Sequence, residues 1–246
     1  MPRMSQPPFL SIIIPAHNEE TRLPAALEKI AVYLAEQSFE AEVLVVENGS
    51  SDQTLALAES YSERLPWLRV LKEEQAGKGR AVQRGALEAH GKYRFIADVD
   101  FSMPVEQINR FIPPELPDFD IAIASREAPG AVRYDEPPYR HFIGRVFNTL
   151  VRVLALPGLQ DTQCGFKCFR GTVAEQIFPL QTVMGWTFDV ELLFIARKHG
   201  YHIVEIGIPW YHDRYSKVRV LKDSLRMALD LLAIRWNGLR GRYSPK

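Results

Sequence analysis

The chain has 246 residues, 46% hydrophobic and 24% charged, the composition of a globular protein with one sizeable core. Lysine and arginine balance aspartate and glutamate at a formal net charge of zero, so no basic field points to nucleic acid. The two cysteines, Cys164 and Cys168, exclude a disulfide framework and an ordinary zinc site, and a reduced, cytoplasmic protein is expected.

Residues 1–8 are polar and proline-bearing, without the apolar core of a signal peptide, and are expected to be flexible. Short apolar runs follow at residues 9–14, 42–46, 68–71, 93–97 and 120–124. Their near-continuous, β-branched character suits parallel strands buried on both faces. Helical patterns separate them. Leu23, Leu27, Ile30 and Leu34 recur at helical steps, as do Leu55, Ala58 and Tyr61, with Ser51 and Asp52 before the second helix. Residues 127–139, with Pro129, Gly130, Pro137 and Pro138, read as a mobile loop. A helix is expected over about residues 141–156, a strand over 202–208 and a helix over about 218–239. No apolar run reaches the ~20 residues that cross a bilayer, so any membrane contact is expected to be peripheral. The alternation of strand and helix predicts an α/β, Rossmann-like, mostly parallel sheet flanked by helices. The main domain is expected over 9–217, with an amphipathic C-terminal helix over 218–246.

In such sheets ligands bind beyond the carboxyl ends of the strands. His17, Asn18 and Glu19 follow the first run, and Glu47, Asn48 and Gly49 the second. The third is followed by Gly77-Lys78-Gly79-Arg80, the fourth by Asp98 and Asp100, and the fifth by Ser125 and Arg126. In an extended chain Asp98 and Asp100, flanking Val99, point to one side. Two such carboxylates call for a cation between them, and magnesium or manganese shared with phosphate oxygens is the natural occupant; a plain strand-end turn is the alternative. Gly77 to Arg80 suits phosphate binding or a simple loop before a helix, and lacks P-loop spacing. Glu47-Asn48-Gly49-Ser50 suits a base or ribose contact, a helix-entry turn, or both. Cys164 is expected to be a buried structural thiol, and Asp189 and Glu191 to face a helix dipole. His17, His141 and His212 lack ligand spacing. In the C-terminal segment Leu221, Leu225, Ala228, Leu229 and Leu232 share a side, Lys222, Arg226 and Arg235 interleave, and Trp236 lies near the end. Packing on the core and contact with a membrane interface both suit that pattern.

Several segments resemble family 2 glycosyltransferases of the GT-A fold. They are Ile14 to Glu19 (IPAHNE), Val45 to Thr54 (VVENGSSDQT), Gly77-Lys78-Gly79, Asp98-Val99-Asp100 and Ala124-Ser125-Arg126, then Asp161 to Phe169 (DTQCGFKCF), Phe188 to Leu192 (FDVEL) and Trp210 to Val218. DTQCGFKCF with FDVEL is similar to the dolichyl-phosphate glucosyltransferase branch, beside the dolichyl-phosphate mannosyltransferases. The family usually has aspartates where Glu47 and Asn48 stand, and often tyrosine where His17 stands. The resemblance implies a nucleotide-sugar donor of the UDP-glucose or GDP-mannose type, a divalent metal (Mg2+ or Mn2+), a polyprenyl-phosphate acceptor and a place on the cytoplasmic face of a membrane.

It also implies roles. Asp98 and Asp100 hold the metal, with Ser102 beside them where a relative has a metal-contacting side chain. Asp100, Arg126 and Arg145 serve catalysis. Pro15, His17, Glu19, Glu47, Asn48, Lys78, Asp98, Arg140, Asp161 and Lys217 bind substrates. The implied reaction is an inverting displacement at the anomeric carbon, with metal and arginines stabilising the leaving diphosphate. Three alternatives stand beside it: transfer to another lipid or a soluble sugar, a sugar-1-phosphate nucleotidyltransferase, and a non-catalytic membrane-associated binding module.

Overall fold

A computed structural model describes residues 7–213 and 220–244, with the side chains of 220–224 left out. All six expected strands form. They are β1 (Leu10–Ala16), β2 (Ala41–Asn48), β3 (Leu68–Glu73), β4 (Tyr93–Ile96), β5 (Ile121–Ser125) and, late in the chain, a strand at Ile203–Gly207. Between the first of these lie α1 (Leu23–Ala35), α2 (Thr54–Ser62) and α3 (Lys78–Glu88), and a 3-10 turn spans Val105–Phe111. After β5 come β6 (Val132–Tyr134), α4 (Pro138–Leu154), β7 (Lys167–Arg170), α5 (Gly171–Ile177) and α6 (Phe188–Lys198). The strand Ile203–Gly207 is then β8, followed by β9 (Pro209–Tyr211) and α7 (Val220–Leu239).

The main sheet has seven strands in the order β3-β2-β1-β4-β7-β5-β8. Every pairing is parallel except those of β7, which runs antiparallel to both β4 and β5. Alternate residues of the buried strands feed two separate cores. Ile12, Ile14, Val43 and Val45 pack with α1, α2 and the 105–111 turn. Ile13, Leu44, Val46 and Ile123 pack with α3, α5, α6 and α7. This is why the strands read as continuous apolar runs.

The 127–139 segment departs from the mobile loop expected of it. It contains β6, which pairs in parallel with β9, and α4 already begins at Pro138. The proline explains the early start, because its fixed φ suits the first turn of a helix. β7 was missed because its four residues, Lys-Cys-Phe-Arg, are too short for a periodic signal. The antiparallel insertion matters for the site. It brings the amino end of β7, and the loop before it, to the same sheet edge as the carboxyl ends of the parallel strands.

Candidate active site

At that edge Asp98 and Asp100 follow β4, with Val99 buried between them. Lys78, the first residue of α3, places Nζ 2.6 Å from Asp98 Oδ1. Phe101 takes φ 43°, and this turn lets the Ser102 N–H donate to Asp100 Oδ1 at 3.0 Å. Burial opposes ionisation of Asp98, but Lys78, then Lys167 and Arg22, outweigh it and hold the carboxyl below its usual range. Asp100 goes the other way. Burial and the Asp98 charge beside it raise its carboxyl above the usual range, despite the Ser102 N–H, Lys78 and Arg22. Among the described residues no cation forms an ion pair with Asp100.

The β4–β7 register explains how Asp98 is held. Ile96 pairs with Lys167, so two residues further on Asp98 lies opposite Gly165. A Cβ at Gly165 would collide with the Asp98 carboxylate. Lys167 is almost fully buried; its ammonium donates to the Cys164 carbonyl and lies 2.9 Å from Asp189 Oδ1. Burial raises Asp189, and Lys167 and Lys78 only partly offset it. Lys78, Asp98, Lys167 and Asp189 thus form one alternating charge cluster behind the edge.

Arg126, after β5, is locked to Asp161. Asp161 Oδ2 accepts from Nε at 2.6 Å and from the Arg126 backbone N–H at 3.0 Å, while Oδ1 accepts from Nη2 at 3.0 Å. Asp161 has no exposed surface; burial opposes its charge, but Arg126 holds its pKa down at about 2. Its carboxylate faces the protein, so its place here is to orient Arg126, leaving Nη1 outside the pair. The Arg126 guanidinium lies over the Trp210 ring at 5.3 Å.

The loops after β1 and β2 form the other half. His17 Nδ1 bonds the Asn48 carbonyl at 2.8 Å, and Asn18, at φ 53°, accepts from the Ser51 N–H at 2.8 Å. Glu19 grips Arg22 through both oxygens, at 2.6 and 2.7 Å, and Arg22 also pairs with Asp213. Glu47 and Asn48 are buried, and Glu47 accepts the Ser50 N–H, so the helix-entry turn is present. Pro15 lies half-buried at the end of β1.

Three residues expected in the site are not joined to it by any contact described here. Arg140 and Arg145 lie on α4, and among the described residues neither makes an ion pair with an acid of this edge. Lys217 lies outside the described residues. Sequence reasoning missed Lys167, Gly165 and Arg22. A lone lysine entering an apolar run was the available signal for Lys167; Arg22 and Gly165 carry none without the register. Cys164 is buried, and burial lifts its pKa to about 12, as a structural thiol requires. Glu191 accepts from the backbone N–H groups of Thr182 and Val183 and from the Tyr243 hydroxyl, a structural role.

The arrangement fits a divalent cation. Two carboxylates share one direct counter-charge, and Asp100 is under-compensated. Among the described residues no three or more His, Cys, Asp or Glu side chains are placed to hold a metal ion together, so a cation here would complete its shell from phosphate and water.

The family model described as glycosyl transferase family 2 matches residues 11–178. A dolichyl-phosphate beta-glucosyltransferase of Dictyostelium discoideum is 35% identical, over 97% of this chain and 77% of that relative. The protein of that name from Homo sapiens is 32% identical, over 95% of this chain and 77% of the relative. Among solved structures, glucosyl-3-phosphoglycerate synthase of Mycobacterium tuberculosis in complex with Mn2+ and UDP-glucose superposes with a TM-score of 0.67 at 17% identity. The match covers 97% of this chain and 80% of that one. Mannosyl-3-phosphoglycerate synthase of Rubrobacter xylanophilus superposes at 0.68, again at 17% identity, over 96% and 75%. With a family match over most of its length and the sheet edge described above, this chain belongs to glycosyl transferase family 2.

Proposed function

We propose that this protein transfers glucose from a nucleotide-sugar, in a divalent-metal-dependent and inverting reaction, to dolichyl phosphate or a similar polyprenyl phosphate. The observation that carries the reading is the pair Asp98 and Asp100, tuned in opposite directions at the sheet edge of a chain 97% of which aligns with a dolichyl-phosphate beta-glucosyltransferase. Asp98 and Asp100 would hold the metal, which when bound neutralises charge on the donor diphosphate. An acceptor phosphate oxygen attacks the anomeric carbon from the face opposite the leaving group. The bond from that carbon to the diphosphate oxygen breaks, and the electron pair leaves with the nucleoside diphosphate.

Lys78, paired with Asp98, would turn to the departing phosphate, and Arg126, oriented by Asp161, would offer a second cation. A phosphate-monoester acceptor is already anionic near neutral pH, so positioning takes the place of a general base. Pro15, His17, Glu19, Glu47 and Asn48 would line the nucleotide end. Arg140, Arg145 and Lys217 are assigned to substrate phosphates on resemblance alone.

No helix among the described residues is long and apolar enough to cross a membrane. The meeting with the lipid is assigned to the cytoplasmic face of a membrane on resemblance alone. Incubation with UDP-glucose, manganese and dolichyl phosphate should yield a glucosyl lipid whose anomeric configuration is inverted by NMR. A retained anomer, or transfer only to soluble sugars, would overturn it.

A further inference from the structure

Lys78 has a second neighbour besides Asp98. Its ammonium lies over the Trp186 ring, 5.6 Å from the centroid. Trp186 belongs to the segment 181–187, which joins the short 3-10 turn Phe178–Leu180 to α6. The residue is half-buried and packs against the core that α3 and α6 share. The Lys78 side chain is only 19% exposed, so its ammonium is largely out of water. That is the setting in which a cation over an indole contributes most.

The segment that carries Trp186 is held from several directions. A Cβ at Gly79 would lie 2.7 Å from Phe188 Cβ and 2.8 Å from the Val183 carbonyl oxygen, and one at Gly77 would lie 2.6 Å from the Met184 carbonyl oxygen. The glycines on either side of Lys78 thus let the segment pack directly on the backbone of the α3 start. The Gln181 side chain, buried between them, donates to the carbonyls of Gly79 and Val183, each at 2.9 Å. Glu191 accepts from the Thr182 and Val183 N–H groups, and the Thr187 hydroxyl donates to Asp230 at 2.8 Å. The indole is therefore a fixed surface, and the lysine stem is the part that can move. Asp189 also attracts Lys78 through its charge, but it makes its own ion pair with Lys167.

We infer that Trp186 is a positioning residue, which holds the Lys78 ammonium at the sheet edge where the donor diphosphate is bound. The role depends on the reading above, in which Lys78 turns from Asp98 to that diphosphate. In such a turn the ion pair that orients Lys78 is lost. The indole face stays with it, because no phosphate or metal competes for an uncharged ring. Leucine at 186 would fill part of the same space without a π face, whereas phenylalanine would keep a face with a weaker pull on the cation.

A double-mutant cycle on the full chain tests this. Calorimetry would measure the dissociation constant of UDP, with manganese present, for the wild type, Trp186→Leu, Lys78→Met and the two substitutions combined. Trp186→Leu should weaken UDP about three- to tenfold, and Trp186→Phe less than about threefold. In the Lys78→Met background Trp186→Leu should change nothing further, since the indole then has no ammonium to hold. A loss equal in Trp186→Leu and Trp186→Phe overturns the inference, as does one that persists undiminished beside Lys78→Met; both mark a purely structural tryptophan. Weakened binding of UDP-glucose with UDP unaffected also overturns it, because the ring would then be touching the sugar. The cycle is read at equilibrium and needs no transfer. Full coupling in a chain that transfers no glucose would refute the assigned activity and leave the role of Trp186 standing, and a wild type without affinity for UDP would overturn both.

Discussion

At the scale of single residues, the site depends on charges that are balanced in pairs and left uneven in one place. Asp98 has Lys78 and, behind it, Lys167; Asp100 has only a backbone N–H and more distant cations. Asp100→Asn should therefore keep the fold while lowering kcat with UDP-glucose and manganese by about 10²–10³-fold, the scale of losing transition-state charge stabilisation. Gly165→Ala should be costly without touching a ligand, because its Cβ has no space beside the Asp98 carboxylate. Its expected result is a loss of metal-dependent donor binding with native circular dichroism. Asp161 gives a pH prediction. Its folded pKa of about 2 lies below the ordinary 3.8, so the Arg126 pair stabilises the protein fully above about pH 4 and fades as pH falls through about 2. Asp161→Asn leaves a half-buried guanidinium without its carboxylate and should cost about 3 kcal/mol at pH 6 by urea denaturation, the low end for breaking a buried pair. That gap should narrow by up to about 2 kcal/mol towards pH 2. These side chains were partly legible in the sequence. Asp98 and Asp100 stand out because two acids close an apolar run. Lys167 and Gly165 do not, because their meaning comes from an antiparallel register that no local pattern encodes.

At the scale of elements, the parallel strands were readable because burial on both faces leaves them almost wholly apolar. β7 and β6 were not, since four and three residues cannot show a period. Yet β7 is the strand that delivers Lys167 and, through the loop before it, Gly165 and Asp161 to the edge. The C-terminal helix resolves in an instructive way. Core packing and contact with a membrane interface were the alternatives in the sequence; α7 packs on the core, with Leu231 and Ile234 fully buried, and leaves Leu229 and Trp236 exposed. Its end is also tied down, since the Tyr243 hydroxyl donates to Glu191 Oε1 at 2.6 Å in a buried setting. Tyr243→Phe should cost about 1–3 kcal/mol, because Glu191 loses a partner inside the protein. Thermal denaturation of the variant checks this, and an unchanged midpoint would mean that the α7 end contributes little. Deleting everything from residue 218 removes the inner face as well, so it should lower the melting temperature and is a poor probe of lipid contact alone.

At the scale of the whole molecule, strand ends far apart in sequence meet at one sheet edge, and the reaction follows from what each brings. The first two ends bring His17 and Glu47, the fourth brings Asp98 and Asp100, and the fifth brings Arg126. α3 inserts Lys78 between the halves. The edge as a whole was predictable from the doubly wound pattern, since ligands of such sheets bind beyond the strand ends. The reach of α4 was not, because Arg140 and Arg145 take their positions from a helix whose path only the fold shows. The central claim is that Asp98 and Asp100 hold a divalent cation that binds the donor diphosphate. Thermal shift with UDP-glucose tests it most directly, because a ligand that binds the native state raises the melting temperature by mass action. UDP-glucose should stabilise the wild type with manganese and far less with a chelator, and Asp100→Asn should abolish the manganese-dependent part. An equal shift without metal, or an undiminished manganese-dependent shift in Asp100→Asn, would contradict the account.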